Sequence, residues 1–285
     1  MRISATFISS LFLLAIASAH SSDEELSTDF HMRYLSTESS RLSGQENSFS
    51  LNEYQIEIER HAFLFEVDHR DYNWRQREVI SGDPDWGSLT RIAPGLQYFG
   101  EVTDNWSVWA KLYAIAGFEN SITKDSLTYN PQLIALTPYN DDIMLFAGVG
   151  AFYHPVDPVY YPILGLNWDA GNESRWSGAL GFPETMIRYQ LNDDWSLKAE
   201  FEVEIRFYQL SNSNQFSPGG YVKTDDLLPG LQLEFAPTSS FSSYLGLQYS
   251  FERTLSVYNS QRDLQERNQV TSGWGIRFGL EWVIN

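Results

Sequence analysis

His69 lies in the run HRDYNW, with Asp68 just before it and Asp71 two residues on. A carboxylate, an imidazole and a hydroxyl within hydrogen-bond reach make a nucleophilic centre, the arrangement a lipid-cleaving enzyme would need near the rim of a membrane protein. Ser81 and Ser88 are the available hydroxyls, and no fixed spacing ties either of them to His69. Of the other histidines, His20 and His31 fall in an acidic N-terminal stretch and His154 stands beside Pro155 in a turn-like segment. The acidic pairs Asp141-Asp142, Asp193-Asp194 and Asp225-Asp226 could hold a divalent cation, but paired aspartates at the ends of extended runs are first of all turn formers. The chain shows no glycine-rich phosphate loop and no clustered histidines, and it contains no cysteine. The expectation is no catalytic residue, no cofactor and no metal.

The charges that do form a pattern are spaced by two. In SLKAEFEVEIRFY, Leu197, Ala199, Phe201, Val203, Ile205 and Phe207 share one face of a strand, while Lys198, Glu200, Glu202, Glu204, Arg206 and Tyr208 share the other. SSYLGLQYSFERTLSV repeats the pattern, with Leu245, Leu247, Tyr249 and Phe251 against Gly246, Gln248, Ser250 and Glu252. The last residues, GWGIRFGLEWVIN, alternate as strictly. Trp274, Ile276, Phe278, Leu280, Trp282 and Ile284 point one way, and Arg277 and Glu281 point the other. Three glutamates in a row on one face of so long a strand suit the lumen of a membrane barrel better than the wet face of a soluble sheet.

On these phases Glu57, Glu59, Glu66, Arg91, Lys111, Arg188, Lys198, Glu200, Glu202, Glu204, Arg206, Glu234, Glu252, Arg277 and Glu281 face inward. Nine are acids and six are bases, so the lining carries an acidic excess. Buried charges are tolerated only when paired. The leading expectation is therefore a lumen filled by a salt-bridge network, in a structural or loop-presenting barrel. The alternative is a narrow acid-lined pore or transporter for small cationic solutes. A lipid hydrolase is the remote third.

The elements that would position these residues can be read from the rest of the chain. Residues 1–19 have an early arginine, an apolar stretch and the triplet Ala17-Ser18-Ala19, the layout of a secretory signal cut after Ala19. The apolar stretch is too short to span a bilayer as a helix, and no later segment reads as one, which leaves strands to do any spanning. Residues 20–50 are acidic, serine-rich and aperiodic, and read as a flexible periplasmic leader. Aromatic residues make up 15% of the 285, as interfacial girdles require. The mean hydropathy of −0.32 is compatible with a barrel, which needs only alternate residues apolar. A formal charge of −18 argues against nucleic acid as a partner.

Residues 51–285 then read as an all-β, antiparallel up-and-down transmembrane barrel of ten strands, at 53–68, 88–100, 105–118, 142–153, 159–168, 175–191, 195–209, 227–236, 241–257 and 272–285. Connections alternate between brief (EVTD, HPVDP, LNDD, PTSS) and long, as in outer-membrane barrels, and only DAGNES is shorter than its side predicts. RWSGALGFPETMIRYQL changes phase at Pro183. A bulge there gives ten strands, whereas a reversal there, with PQLIAL as a further crossing, gives twelve.

The run YYPILGLNW…RWSGALGFPETMIRYQLNDDWSLKAEF resembles an uncharacterised family of Gram-negative outer-membrane β-barrel proteins, with Pro162, Gly165, Trp168, Trp176, Pro183, Tyr189 and Trp195 as the matching positions. The resemblance implies an outer-membrane location, with lipid as surroundings, and brings no activity. It also implies that the insertion machinery reads the terminal strand, although this chain departs from the pattern by ending on Asn285 instead of an aromatic residue.

Overall fold

The computed structural model describes residues 27–43, 48–75, 86–169, 171 and 174–284. The signal segment and Ser81 lie outside the described residues. In chain order the strands are β1 (Thr28–Thr37), β2 (Ser40–Arg41), β3 (Ser48–Arg60), β4 (Phe63–Arg75), β5 (Ser88–Thr103) and β6 (Trp106–Phe118). Then come β7 (Leu127–Pro138), β8 (Ile143–Phe152), β9 (Val159–Asp169), β10 (Trp176–Phe182) and β11 (Glu184–Gln190). β12 (Trp195–Gln209), β13 (Tyr221–Thr238), β14 (Phe241–Tyr258), β15 (Leu264–Val270) and β16 (Gly273–Ile284) complete the order.

Each strand pairs antiparallel with its neighbour, and the sheet closes because β1 pairs with both β16 and β3. Thr28 lies opposite Ile284, and the register runs to Thr37 opposite Gly275. The result is a closed all-β barrel of fourteen strands. β2 and β15 are short extensions paired to β3 and β14, and they raise the wall at one end. Closure leaves no unpaired edge in hydrocarbon, which is the condition for a sheet to span a membrane.

Fourteen replaces the expected ten for four local reasons. The supposed leader contains β1, whose alternation of Phe30, Met32 and Tyr34 against His31, Arg33 and Leu35 was hidden among serines and threonines. The leader boundary at residue 50 is therefore wrong, and the barrel begins at Thr28. The crossing at 53–68 is two strands, β3 and β4, reversed at His61-Ala62, where His61 has a left-handed φ of 52°. PQLIAL belongs to a full strand, β7. Finally, β10 and β11 form a hairpin at Pro183, with Trp176 opposite Tyr189, so the phase change marks a reversal and not a bulge. The twelve-strand alternative contained these last two strands.

The termini share one end of the barrel. The connections there, at 61–62, 104–105, 139–142, 170–175, 191–194 and 239–240, are short. At the far end they run over 38–47, 76–87, 119–126, 153–158, 210–220 and 259–272. DAGNES now falls on the short side, so its irregularity disappears, and HPVDP moves to the far side. The exception is the one-residue reversal at Pro183, which lowers the far rim between β10 and β11.

The outer surface carries an apolar belt. Leu96, Leu112, Leu133, Leu164, Leu231 and Leu245 are exposed along its middle, and Phe63, Trp106, Tyr139, Trp195 and Trp282 are exposed near the termini end. Tyr129, Tyr153, Tyr160 and Trp274 form the opposite girdle. Aromatic rings at both edges of an aliphatic band match the two interfaces of a bilayer.

Inside, the cross-section is pinched. Gln209 of β12 pairs in parallel with Phe118 of β6, across the tops of five intervening strands. Gly117 makes this approach possible, since a Cβ there would run into the Phe207 carbonyl oxygen. On one side of the pinch Phe49, Tyr72, Trp74, Trp86, Tyr208 and Leu255 pack into an apolar layer. On the other side Trp109, Ile134, Leu136, Phe146 and Ile163 fill the space under β6 to β9.

Leu245 and Leu264 are similarly exposed, at 61% and 52%, but only Leu245 lies mid-belt. Leu245→Arg should cost ~2–4 kcal/mol in urea titrations of the lipid-embedded protein, and Leu264→Arg close to nothing. Equal effects would show that the belt is not lipid-facing.

Candidate functional site in the barrel lumen

β4 carries its alternation past residue 68, so Asp68, Arg70, Tyr72 and Trp74 all point inward and are buried. β3 contributes Glu53, β12 contributes Glu204 and Arg206, and β13 contributes Asp226. These side chains meet at a waist. Arg206 Nη1 lies 2.6 Å from Asp68 Oδ1, and Arg206 Nη2 lies 3.0 Å from Glu53 Oε1 and also pairs with Glu204. Arg70 Nε lies 2.9 Å from Glu53 Oε2, and its guanidinium also pairs with Glu204. Arg33 Nη2 reaches Glu53 at 3.0 Å, and Arg91 pairs with both Glu66 and Asp68. Asp68 and Arg206 are 0% and 2% exposed, so their charges have no water to fall back on. Planar guanidiniums suit such sites because each can serve several carboxylates at once.

A second network lies nearer the termini end. Arg188 Nε is 2.8 Å from Glu234 Oε2, and Lys198 Nζ is 3.2 Å from Glu200 and 3.6 Å from Glu234. Arg277 pairs with Glu200 and donates to Gln232 Oε1 at 2.7 Å. Ser242 donates to Glu281 at 3.0 Å, and His31 Nδ1 is 3.8 Å from the same carboxylate.

Between the waist and the termini end is a partly open cavity of about 170 Å³. Seven glutamates line it (Glu57, Glu59, Glu66, Glu184, Glu200, Glu202 and Glu281), together with Arg33, Lys198, Arg277 and His31. Above the waist, at the far end, the aromatic layer around Tyr72, Trp74, Trp86 and Tyr208 closes the lumen. Trp74 Nε1 donates to the Trp86 carbonyl at 3.0 Å and ties that layer to the segment entering β5.

Of the lumen residues expected from sequence, Arg91, Arg188, Lys198, Glu200, Glu202, Glu204, Arg206, Glu234, Arg277 and Glu281 all join these networks or line the cavity. Lys111 is buried with its ammonium 3.7 Å over the Trp109 ring. Glu252 is a correction. It sits at a register shift in β14 with φ of 50° and is exposed, and the slip turns Arg253 inward onto Asp226 at 2.9 Å. Sequence reasoning missed Arg33, Glu53, Asp68, Arg70, Asp226 and Arg253. Continuing the two-residue phase of Glu66 through HRDYNW would have found Asp68 and Arg70.

The His69 constellation exists, with a different hydroxyl. Thr90 Oγ1 lies 2.8 Å from His69 Nδ1, and Asp71 Oδ1 lies 3.0 Å from Nε2. Ser88 stands opposite Asp71 in the ladder, and Thr90 is the residue opposite His69. β4 and β5 are paired on both sides, so their ladder N–H groups are engaged and offer no pair of donors to an oxyanion. The acidic pairs divide. Asp141-Asp142 and Asp193-Asp194 lie in short turns, while Asp226 is in the waist and Asp225 faces Lys223 at 3.2 Å. Among the described residues no three acids or histidines converge to hold a metal ion.

A family model described as a domain of unknown function, DUF6268, matches residues 84–281. The chain belongs to this family. No curated protein matches it in sequence. Among solved structures, the COG4313 outer membrane channel from Pseudomonas putida F1 is 11% identical with a TM-score of 0.42, over 94% of this chain and 98% of that one. The KdgM porin is 9% identical with a TM-score of 0.39, over 90% and 99%. The Pseudomonas putida toluene transporter TodX is 8% identical with a TM-score of 0.35, over 92% and 90%. Nothing about cargo carries over at such scores.

One DUF6268 residue outside the strands has a titration consequence. His154, in the 153–158 connection, is buried and stacks on Phe207 with ring centres 4.5 Å apart, with Tyr221 edge-on at 5.4 Å. Val156 N–H donates to its Nδ1 at 3.2 Å. Burial first, and Arg262 second, push its pKa down to about 4, against the opposing pull of Asp157. The native state therefore keeps His154 neutral while the unfolded chain protonates near the ordinary value of 6.5. Its contribution is whole above pH 6.5 and is lost as pH falls from there to about 4, up to about 3 kcal/mol. In unfolding titrations across that window His154→Gln should lose less stability than the parent, and parallel losses would contradict the assignment.

Proposed function

We propose that this is a non-enzymatic resident of the outer membrane, a barrel filled by its own side chains that presents long connections outside the cell. The observation that carries the reading is the waist, where Arg206 joins Asp68, Glu53 and Glu204 across the lumen with almost no exposure. The aromatic layer above it adds a second barrier. The short connections at the termini end support a periplasmic placement of that end, since outer-membrane barrels keep their short turns there. On this reading the signal is cut after Ala19, and the insertion machinery meets β16, whose lipid face runs Trp274, Ile276, Phe278, Leu280, Trp282 and Ile284.

The acid-lined cavity favours a second reading, a narrow cation-preferring conduit in which the waist acts as a gate. Conductance in planar bilayers separates the two. The filled barrel should be silent at moderate voltage, and steady cation-selective steps from the unmodified protein would replace it with the conduit.

A further inference from the structure

The hairpin of β10 and β11 turns back at Pro183, and the strands on either side of it do not. β9 meets the end of β10 at Leu164, opposite Phe182, yet it extends past that point toward the far end as residues 159–163. β12 leaves β11 at Glu202, opposite Glu184, and continues to Gln209. The last tie to the hairpin is Val203 N–H to the Pro183 carbonyl at 3.1 Å. Beyond it, among the described residues, no strand pairs with residues 204–208 of β12 on that side. Contact resumes only at Gln209, which meets Phe118 and accepts from Glu119 N–H at 3.0 Å. The far half of β12 therefore hangs on a single full ladder, the one with β13. Segments with few supporting contacts are the ones that open locally before the rest of a structure.

That half carries the seal. Glu204 and Arg206 are members of the waist, and Tyr208 belongs to the aromatic layer above it. Phe207, on the opposite phase, shares its face with the lipid-facing residues of β12, yet it is only 4% exposed. The 153–158 connection covers it. This segment is bonded to β7 through the Tyr129–Tyr153 bridge, and it reaches past β10 and β11 to touch β12 and β13. His154 stacks on Phe207 with Tyr221 edge-on, and Asp157 pairs with Lys223 at 2.7 Å. The buried stack is the firmer of the two contacts, because the Asp157 carboxylate is half in water.

We infer that residues 203–209 of β12 form a movable leaf of the barrel wall, and that the 153–158 connection is the strap that holds the leaf, and with it the seal, shut. When the strap lifts, β12 swings away from β6. That movement draws Arg206 from Asp68 and Glu53, and Tyr208 out of the aromatic layer. The seam on β6 is slight: it is one bridge, formed because Gly117 has no side chain to meet the Phe207 carbonyl. The inference rests on the filled-barrel reading and adds an open state to it.

The chain has no cysteine, so a pair introduced across the seam reports on that seam alone. Conductance in planar bilayers is compared for three full-length proteins: the parent, His154→Ala with Asp157→Ala, and that strap variant with Phe118→Cys and Gln209→Cys added at the bridged positions. The parent should be silent. The strap variant should show discrete openings, with an open probability at least tenfold above the parent. Oxidising the cysteine pair should abolish the openings, and reduction should restore them. If the strap variant does not assemble, His154→Gln should raise openings in the same direction. An assembled strap variant that stays silent, or openings that survive the oxidised cross-link, would overturn the leaf. The two readings fail differently: a silent parent with a silent strap variant removes only the leaf, whereas a parent that conducts steadily removes the seal and the leaf with it.

Discussion

A carboxylate taken out of water must find a cation, and the lumen of this barrel is arranged around that requirement. Glu53, Asp68, Glu204 and Asp226 come from four different strands and are all buried. Arg70 and Arg206 are the groups that reach several of them at once. Removing one partner of such a set leaves a stranded charge, which typically costs 3–5 kcal/mol or so. The waist is therefore an obligation on every strand that contributes to it. β3, β4, β12 and β13 must hold their registers for the charges to meet.

The wall makes this possible. Fourteen strands enclose more space than one layer of side chains can fill, and the pinch between β12 and β6 divides it. One lobe is filled by aliphatic and aromatic side chains around Ile134 and Phe146, so the charged groups need only close the other. Along that lobe the lining changes from acidic near the termini, through paired charge at the waist, to aromatic at the far rim. That gradient places the cavity of about 170 Å³ near the termini.

Much of this was legible in the alternation. The phases of β12, β14 up to Phe251, and β16 could be read directly, because each keeps a strict two-residue period with bulky apolar groups on one face. Three kinds of physics were not legible. β1 has few strong apolar residues and is a strand because β16 and β3 flank it on both sides. The reversals at His61-Ala62 and Pro183 are so tight that the periodicity runs through them with only a change of parity. The register shift at Glu252 exchanges one charged residue for the next, a choice made by the partner strand carrying Asp226. Missing β1 and the reach of β4 removed Arg33, Asp68 and Arg70 from the expected lumen. The acids on β12 were placed without the partners they find across the barrel.

The central claim is that charges on β4 and β12 hold the lumen shut as one interacting set. A double-mutant cycle on stability, with Arg206→Met, Asp68→Asn and the combination, tests it most directly. Each single change should be strongly destabilising, and the double should cost less than their sum by ~1–3 kcal/mol, the coupling expected of groups in contact. Costs that add to within ~0.5 kcal/mol would show that Arg206 and Asp68 do not meet, and the filled lumen would fall with that result.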